Sequence, residues 1–166
     1  FGHITDEARE YIRAKAARFL NDDTCAMFVS FSGGKDSTVV SDLVRKALSK
    51  PDIIHIFGNT TLEFPETYDY VQRFKKGNRK TPMLRAENKE QDFFKLCDSF
   101  GPPSRSLRWC CTIFKTGFIG EKIKRTFGDK KTILTFYGIR RSESTSRSTY
   151  ERSSGGRKIS QQLVAS

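Results

Sequence analysis

No run of this sequence stays apolar for the roughly 20 residues that crossing a bilayer requires. Phe1 to Leu20 is broken by charges throughout, so neither a membrane span nor a secretory leader is expected. Cysteine is scarce: Cys25, Cys97, Cys110 and Cys111 are the whole supply. The one pair close in sequence is adjacent, and adjacent cysteines rarely bridge each other. A disulfide framework is therefore not expected, and a reducing cytoplasm is. Acidic residues are outnumbered, with 19 Asp and Glu against 30 Lys and Arg and a formal net charge of +11. Such an excess calls for anionic partners: nucleotides, sulfate esters or nucleic acid. The Walker A spacing is missing too. It needs Gly five residues before Gly34 and Ser or Thr after Lys35, and those places hold Val29 and Asp36. An initiating Met is also lacking, so the chain is expected to be part of a longer protein.

What is present supports a globular fold. Of the 166 residues, 36% are hydrophobic and fourteen are Phe, enough for one domain with a real core. The most informative stretch is Ala26 to Thr38. An apolar run to Phe31 meets Ser32-Gly33-Gly34-Lys35-Asp36-Ser37-Thr38, and helix-compatible Val39 to Val44 follows. That order reads as strand, tight loop and helix. Two residues without Cβ let an anion approach the backbone. The unpaired N–H groups and dipole of a helix start favour phosphate or sulfate there. Lys35 adds a point charge; Ser32, Ser37 and Thr38 add hydroxyls; Asp36 or Ser37 would cap the helix. Ser32 to Ser37 resembles the SGGxDS pyrophosphate-binding motif of the adenine-nucleotide α-hydrolase-like superfamily, which includes ATP pyrophosphatases, tRNA-thiolating enzymes and the PAPS reductase family.

Taken in order, the chain predicts a helix over 5–20 with Thr5 as N-cap, a strand over 25–31 and a helix over 36–49 stopped by Pro51. A buried strand follows at 53–57, in which His55 reads as a structural histidine rather than a base. Next come a loop, a helix from Pro65 to about Lys76, a strand at 83–86 and a helix over 90–99 with Cys97 facing the core. This alternation predicts an α/β fold: an open, mostly parallel twisted sheet with helices on both faces. Loops at the carboxyl ends of such strands bind ligands. The loop Asn59 to Thr67 resembles the DTG-x-x-FPET region that lies against the adenosine half of the nucleotide in these proteins, with Asn59 and Thr60 standing in for Asp-Thr.

The second half is basic and thiol-bearing. Gly101 to Thr112 carries Arg105, Arg108, Trp109, Cys110 and Cys111, ahead of a helix expected to end at Phe127. Cysteines beside a helix N-terminus and flanked by arginines suit metal or cluster ligation, redox chemistry, or plain packing. A strand at 131–136 then leads to Gly138-Ile139-Arg140-Arg141 and on to Arg147, and arginines at a strand end suit tetrahedral anions. Residues 142–158 read as a basic, mobile segment, and 159–164 as a short strand.

Arg108-Trp109-Cys110-Cys111-x-x-x-Lys115 resembles the R-W-C-C-x-x-x-K segment of the PAPS reductase family, and Gly138 to Arg147 its G-x-R-x-x-E-S-x-x-R segment. The resemblance implies a Rossmann-like domain spanning residues 1–166. It also implies a nucleotide held by Ser32 to Thr38, Asn59, Thr60, Arg108, Lys115, Gly138, Arg140, Arg141 and Arg147. The implied activity is thiol-dependent reduction of adenylyl sulfate or 3′-phosphoadenylyl sulfate (PAPS) to sulfite in sulfate assimilation, with a thioredoxin-type donor. In iron–sulfur members the paired cysteines hold a [4Fe–4S] cluster with a second pair far downstream, which would make Cys110 and Cys111 two of four ligands. No second close pair exists here, so that pair lies beyond Ser166 or there is no cluster. Nor does any Cys follow Cys111 to match the ECG-x-H segment that carries the family's nucleophile. The same motifs leave two other readings open. One is an Mg²⁺-dependent ATP pyrophosphatase or sulfurtransferase acting on nucleic acid or a small molecule. The other is a non-catalytic nucleotide or iron–sulfur binding module. A homo-oligomer is compatible with each.

Overall fold

The computed structural model describes residues 2–140, 142, 148–155 and 161–164. Helix α1 (Gly2–Leu20) leads into strand β1 (Cys25–Phe31), then α2 (Lys35–Leu48), β2 (Ile54–Gly58), α3 (Pro65–Gly77), β3 (Met83–Ala86) and α4 (Phe93–Phe100). A further helix opens at Trp109, runs as a π-helix over Cys111–Gly117 and continues as α5 (Phe118–Phe127). Strands β4 (Thr132–Tyr137), β5 (Ser153–Gly155) and β6 (Gln161–Val164) complete the described elements. The strands form one sheet in the order β3-β2-β1-β4-β6-β5. Every pairing is parallel except β5 with β6. No described helix is long and apolar enough to cross a membrane.

Side-chain alternation along β1 sends its residues to opposite faces. Val29 packs with Ile12, Ala16 and Phe19 of α1 and Val40, Leu43, Val44 and Ala47 of α2. The α2 positions recur at i, i+3, i+4 and i+7, the stripe that docks a helix on a sheet. On that same face Phe31 and Phe57 meet Val71 and Phe74 of α3. The other face carries Phe28, Ile56, Ala86 and Ile133, covered by Ile123 and Phe127 of α5. His55 lies in the first face, fully buried. Its Nδ1 is 2.9 Å from the Ile53 carbonyl and must donate to it, so Nε2 accepts from the Ser41 hydroxyl at 2.7 Å. Burial lowers its pKa from 6.5 to about 4, which fits the structural role expected of it.

Boundaries moved where caps outweigh pattern. Helix α4 starts at Phe93 rather than Glu90, because the Asp92 carboxylate caps it by accepting from the Lys95 N–H at 2.9 Å. Helix α1 begins at Gly2, so Thr5 lies inside the first turn, its hydroxyl bonded to the Gly2 carbonyl at 2.7 Å. Within the segment expected to be mobile, residues 153–155 are the strand β5.

Candidate functional site

Two neighbouring parallel strands, β1 and β4, deliver the motif-bearing loops to one edge of the sheet. From β1 the chain moves outward to β2 in one direction, whereas β4 lies on the other side. Such a switch in direction opens a crevice at the carboxyl ends of the strands. Gly33 takes a left-handed φ of +76°, and a Cβ there would stand 3.0 Å from both Thr67 Cγ2 and Val71 Cγ2. The loop therefore rests on α3, and a side chain at this place would push it off.

The hydroxyls of the loop shape it. Gly34, not Asp36 or Ser37, is the N-cap of α2, and no side chain caps the helix. The Gly34 carbonyl accepts from Ser37 Oγ and Thr38 Oγ1, each at 2.9 Å, and from the Thr38 N–H at 3.1 Å. Ser32 Oγ donates to Ser37 Oγ at 3.2 Å and accepts from the Gly34 N–H at 3.4 Å. The N–H groups of Lys35, Asp36 and Ser37 precede the first intrahelical bond and point out of the helix end. The Ser32 and Ser37 hydroxyls expected to face an anion thus donate within the loop instead.

Strand β4 closes over that helix end. A Cβ on Gly138 would lie 2.7 Å from the Asp36 carbonyl carbon and 2.9 Å from the Ser37 nitrogen. Two residues on, Arg140 Nε donates to Asp36 Oδ2 at 3.0 Å. The fold thereby brings together Asp36 and Arg140, 104 positions apart. Arg141 and Arg147 lie outside the described residues, as does the Lys115 side chain.

Asn59 and Thr60 serve the loop after β2. Asn59 is only 2% exposed. Its Nδ2 donates to Glu87 Oε2 at 2.9 Å, while its Oδ1 accepts from Tyr68 Oη at 2.6 Å and the Thr61 N–H at 3.1 Å. Arg85 Nε pairs with the same Glu87 oxygen at 2.6 Å and its guanidinium stands 5.6 Å from the Tyr68 ring centre. Burial pushes the Tyr68 hydroxyl up, keeping it protonated as a donor. Thr60 Oγ1 donates to Glu63 Oε1 at 2.8 Å. Thr61 sits at φ 64°, costly for a β-branched residue, and accepts from the Phe93 N–H at 2.8 Å. Thr61 and Tyr68 belong to the loop and helix start marked in the sequence, but without these partners, and Arg85 and Glu87 were not marked. Glu87 stands 28 positions from Asn59, and no local pattern marks such a pairing. A cleft of ≈ 490 Å³ opens beside this network, lined by Arg85, Glu87, Lys89, Phe118, Lys122 and Arg125 among others.

The Trp-Cys-Cys segment stands on an aromatic base. Trp109 is buried, stacks on Phe93 at 5.3 Å between ring centres and donates from Nε1 to the Gly101 carbonyl at 3.0 Å. Arg108 is exposed, Cys110 half-buried and Cys111 exposed. Cys111 opens the π-helix, a wider turn common at functional places. A [4Fe–4S] cluster needs four thiolates. Among the described residues no three His, Cys, Asp or Glu side chains gather into a metal-binding group, so two adjacent cysteines do not by themselves fit such a cluster.

A model of the phosphoadenosine phosphosulfate reductase domain matches residues 26–164, a range holding both loops, the Cys-Cys segment and β4. The chain belongs to this family. It is 38% identical over 140 residues to an uncharacterized protein of Methanocaldococcus jannaschii, covering 84% of this chain and 28% of that protein. A second uncharacterized protein of the same organism matches at 37% over 133 residues, 78% of this chain and 30% of the relative. The adenosine 5′-phosphosulfate reductase of Staphylococcus haemolyticus matches at 31% over 122 residues, 71% and 46% respectively. The chain thus spans less than half the length of each of these relatives. The fold is shared with the PAPS reductase of Candida auris, solved as a phosphate complex, at a TM-score of 0.62 and 16% identity over 95% of this chain and 71% of that one. It is shared also with the FMN adenylyltransferase of Candida glabrata solved with ATP, at a TM-score of 0.60 and 12% identity over 98% and 49%.

Proposed function

We propose that this PAPS reductase-family chain binds an adenine nucleotide across the carboxyl ends of β1 and β4 and serves the reduction of adenylyl sulfate or PAPS to sulfite. The observation that carries the reading is Arg140 anchored by Asp36 at the mouth of the Gly33-Gly34 loop. Unpaired backbone N–H groups at the start of α2 and the Arg140 guanidinium lie at the same end of the sheet, with exposed Lys35 on the first turn beside them, and this combination is proposed to grip a phosphate or sulfate ester. Arg108, Lys115, Arg141 and Arg147 are proposed to add charge around the same ligand. Asn59 and Thr60 are proposed to act by shaping the loop beside the nucleoside, since their polar atoms already bond within the protein.

In the reaction a thiolate attacks the sulfate sulfur. A sulfur–sulfur bond forms, the sulfur–oxygen bond to the nucleotide breaks, and the nucleoside phosphate leaves. A thioredoxin-type dithiol then releases sulfite from the thiosulfonate and is itself oxidised to a disulfide. The chain's part in this scheme is to bind and orient the nucleotide, and no residue of it is assigned as the attacking thiolate. The fold shared with an ATP-bound adenylyltransferase keeps Mg²⁺-dependent ATP chemistry as the second reading.

The test is thermal stabilisation by adenylyl sulfate, PAPS and ATP–Mg²⁺, each titrated separately. A ligand that binds only the folded chain stabilises it by RT ln(1 + [L]/Kd). The largest shift is expected from a sulfonucleotide, with any extra gain from PAPS reporting contacts to its 3′-phosphate. A preference for ATP–Mg²⁺ would overturn the reductase reading in favour of a pyrophosphatase or sulfurtransferase.

A further inference from the structure

Between Asp69 and Glu87 the sequence has no acidic residue, while Arg73, Lys75, Lys76, Arg79 and Lys80 supply five cations within eight positions. Lys75 and Lys76 lie in the last turn of α3, where they offset the negative end of its dipole. Arg79 and Lys80 lie beyond the helix, so that role does not account for them. With the end of α2, the turn that carries them borders a cleft of ≈ 460 Å³. Its charged lining is Arg45, Lys76, Arg79 and Lys80, with no carboxylate. The floor of the cleft is held in place. Arg45 Nε donates to the Ser41 carbonyl at 3.3 Å and Nη1 to Asn78 Oδ1, and the guanidinium stands 5.5 Å from the Phe74 ring centre. Thr81 Oγ1 donates to the Pro51 carbonyl at 2.7 Å, tying together the lead-ins to β2 and β3. Lys76, Arg79 and Lys80 are exposed, and among the described residues none of the three forms an ion pair.

We propose that this cleft docks the phosphate backbone of double-stranded nucleic acid. The proposal is independent of the nucleotide reading. The cleft sits at the carboxyl end of α2, whereas the Gly33-Gly34 loop sits at its amino end, 14 residues or about 21 Å away. Both places can therefore be filled at once. Cations from two elements line a concave surface, which a ridge of phosphates enters and a flat bilayer does not. None of the exposed large hydrophobic side chains lines it. A protein partner would thus lack the buried apolar anchor that dominates most interfaces. Unpaired bases would lack an aromatic ring to stack on. What remains is charge on a rigid floor, which holds a duplex by its backbone and carries no sequence information. The formal net charge of +11 draws a polyanion toward the chain in the same sense.

The test follows a short fluorescent DNA duplex by anisotropy as the chain is titrated in at a series of salt concentrations. Each neutralised phosphate contributes about −0.9 to the slope of log K against log salt, so four cations predict a slope of about −3 to −4. Lys76→Gln/Arg79→Gln/Lys80→Gln is expected to bring it to about −1. The control Lys89→Gln/Lys95→Gln/Lys124→Gln removes the same charge from exposed positions elsewhere and is expected to keep the native slope. Both variants change exposed side chains only, so their melting temperatures are expected to match that of the native chain. Changing the duplex sequence, or adding saturating adenylyl sulfate, is expected to leave the affinity unchanged. Equal losses in the two variants would overturn the proposal, as would a native slope shallower than that of the triple variant. So would competition by adenylyl sulfate, which would move the duplex to the nucleotide loop. Tighter binding of a single strand, of polyglutamate or of phosphatidylserine vesicles would equally overturn it, by assigning the cleft to another kind of partner.

Discussion

Gly138 and Asp36 touch through their backbones: a Cβ at 138 would stand 2.7 Å from the Asp36 carbonyl carbon and 2.8 Å from its oxygen. The contact is what lets the end of β4 lie flush on the first turn of α2, with Arg140 just beyond it. Backbone cannot swing away as a flexible side chain can, so even one methyl group must part strand and helix. Gly138→Ala is expected to cost about 1–3 kcal/mol of stability, the usual range for overpacking, and to weaken nucleotide binding with it. Gly77→Ala is the matching control. Nothing lies within 4 Å of a Cβ there, and the change is expected to be neutral or slightly stabilising. Melting temperatures of the two variants decide the matter; equal shifts would mean the close approach at Gly138 has no energetic weight.

The ion pair between Asp36 and Arg140 is expected to matter for ligand and not for fold. Both side chains keep solvent contact, at 29% and 48% exposure, and such pairs contribute about 0–1 kcal/mol. A charge-assisted bond to a bound phosphate or sulfate contributes roughly 1.5–3 kcal/mol. Arg140→Ala should thus leave the melting temperature nearly unchanged and weaken nucleotide binding by about ten- to a hundredfold, as read by calorimetric titration. Asp36→Asn should weaken it less, by releasing the guanidinium from its anchor. A large loss of stability with unchanged affinity would assign the pair to the fold alone.

His55 sets a limit on acid stability. Its pKa is held at about 4 in the folded chain against 6.5 for the free side chain. The unfolded chain therefore takes up the proton first. The stabilisation is fully present above pH 6.5 and is lost as pH falls toward 4. One pKa unit corresponds to 1.36 kcal/mol, so the total is on the order of 3 kcal/mol. Urea unfolding at pH 7 and at pH 4.5 should show this loss in the native chain and a clearly smaller one in the double variant His55→Leu/Ser41→Ala, which removes the titrating ring together with its buried partner. Equal losses in both would move the acid sensitivity to other groups.

The legible parts of the molecule were those whose signal is local. Strand β1 and strand β3 span the residues the sequence predicts, 25–31 and 83–86, and Pro65 at the first position of α3 announced that helix. Gly33, Gly34 and Gly138 could be marked as loop residues from their neighbours. Asp36 and Arg140 were each marked too, yet their bond could not be, because it depends on two parallel strands lying side by side. The π-helical turn at Cys111 leaves no trace in composition, since its residues suit an ordinary helix equally well. Asn59 shows the limit most plainly. Its place in the loop was evident from sequence, but the partners that use up its amide come from α3 and from the end of β3.

Those partners yield a sharp test of why this chain has Asn at position 59, where the motif it resembles has Asp. The Asn59 amide nitrogen donates to a Glu87 oxygen at 2.9 Å inside a nearly closed environment. Asn59→Asp would replace that donor with a second acceptor and set two carboxylates against each other. One of them must then take up a proton or remain in repulsion, so its folded pKa is raised above the unfolded value. The sign follows from linkage. A raised carboxyl pKa leaves stability intact below about pH 4 and removes it as pH climbs through the raised value. At pH 7 the variant is expected to lose on the order of 2–3 kcal/mol, as for a buried polar group left without its partner. The deficit should shrink in acid, opposite in direction to the His55 effect. Asn59→Asp/Glu87→Gln restores a donor facing an acceptor and should recover most of the loss at neutral pH. If the double variant is no more stable than the single one, the Asn59–Glu87 bond is not what selects asparagine here.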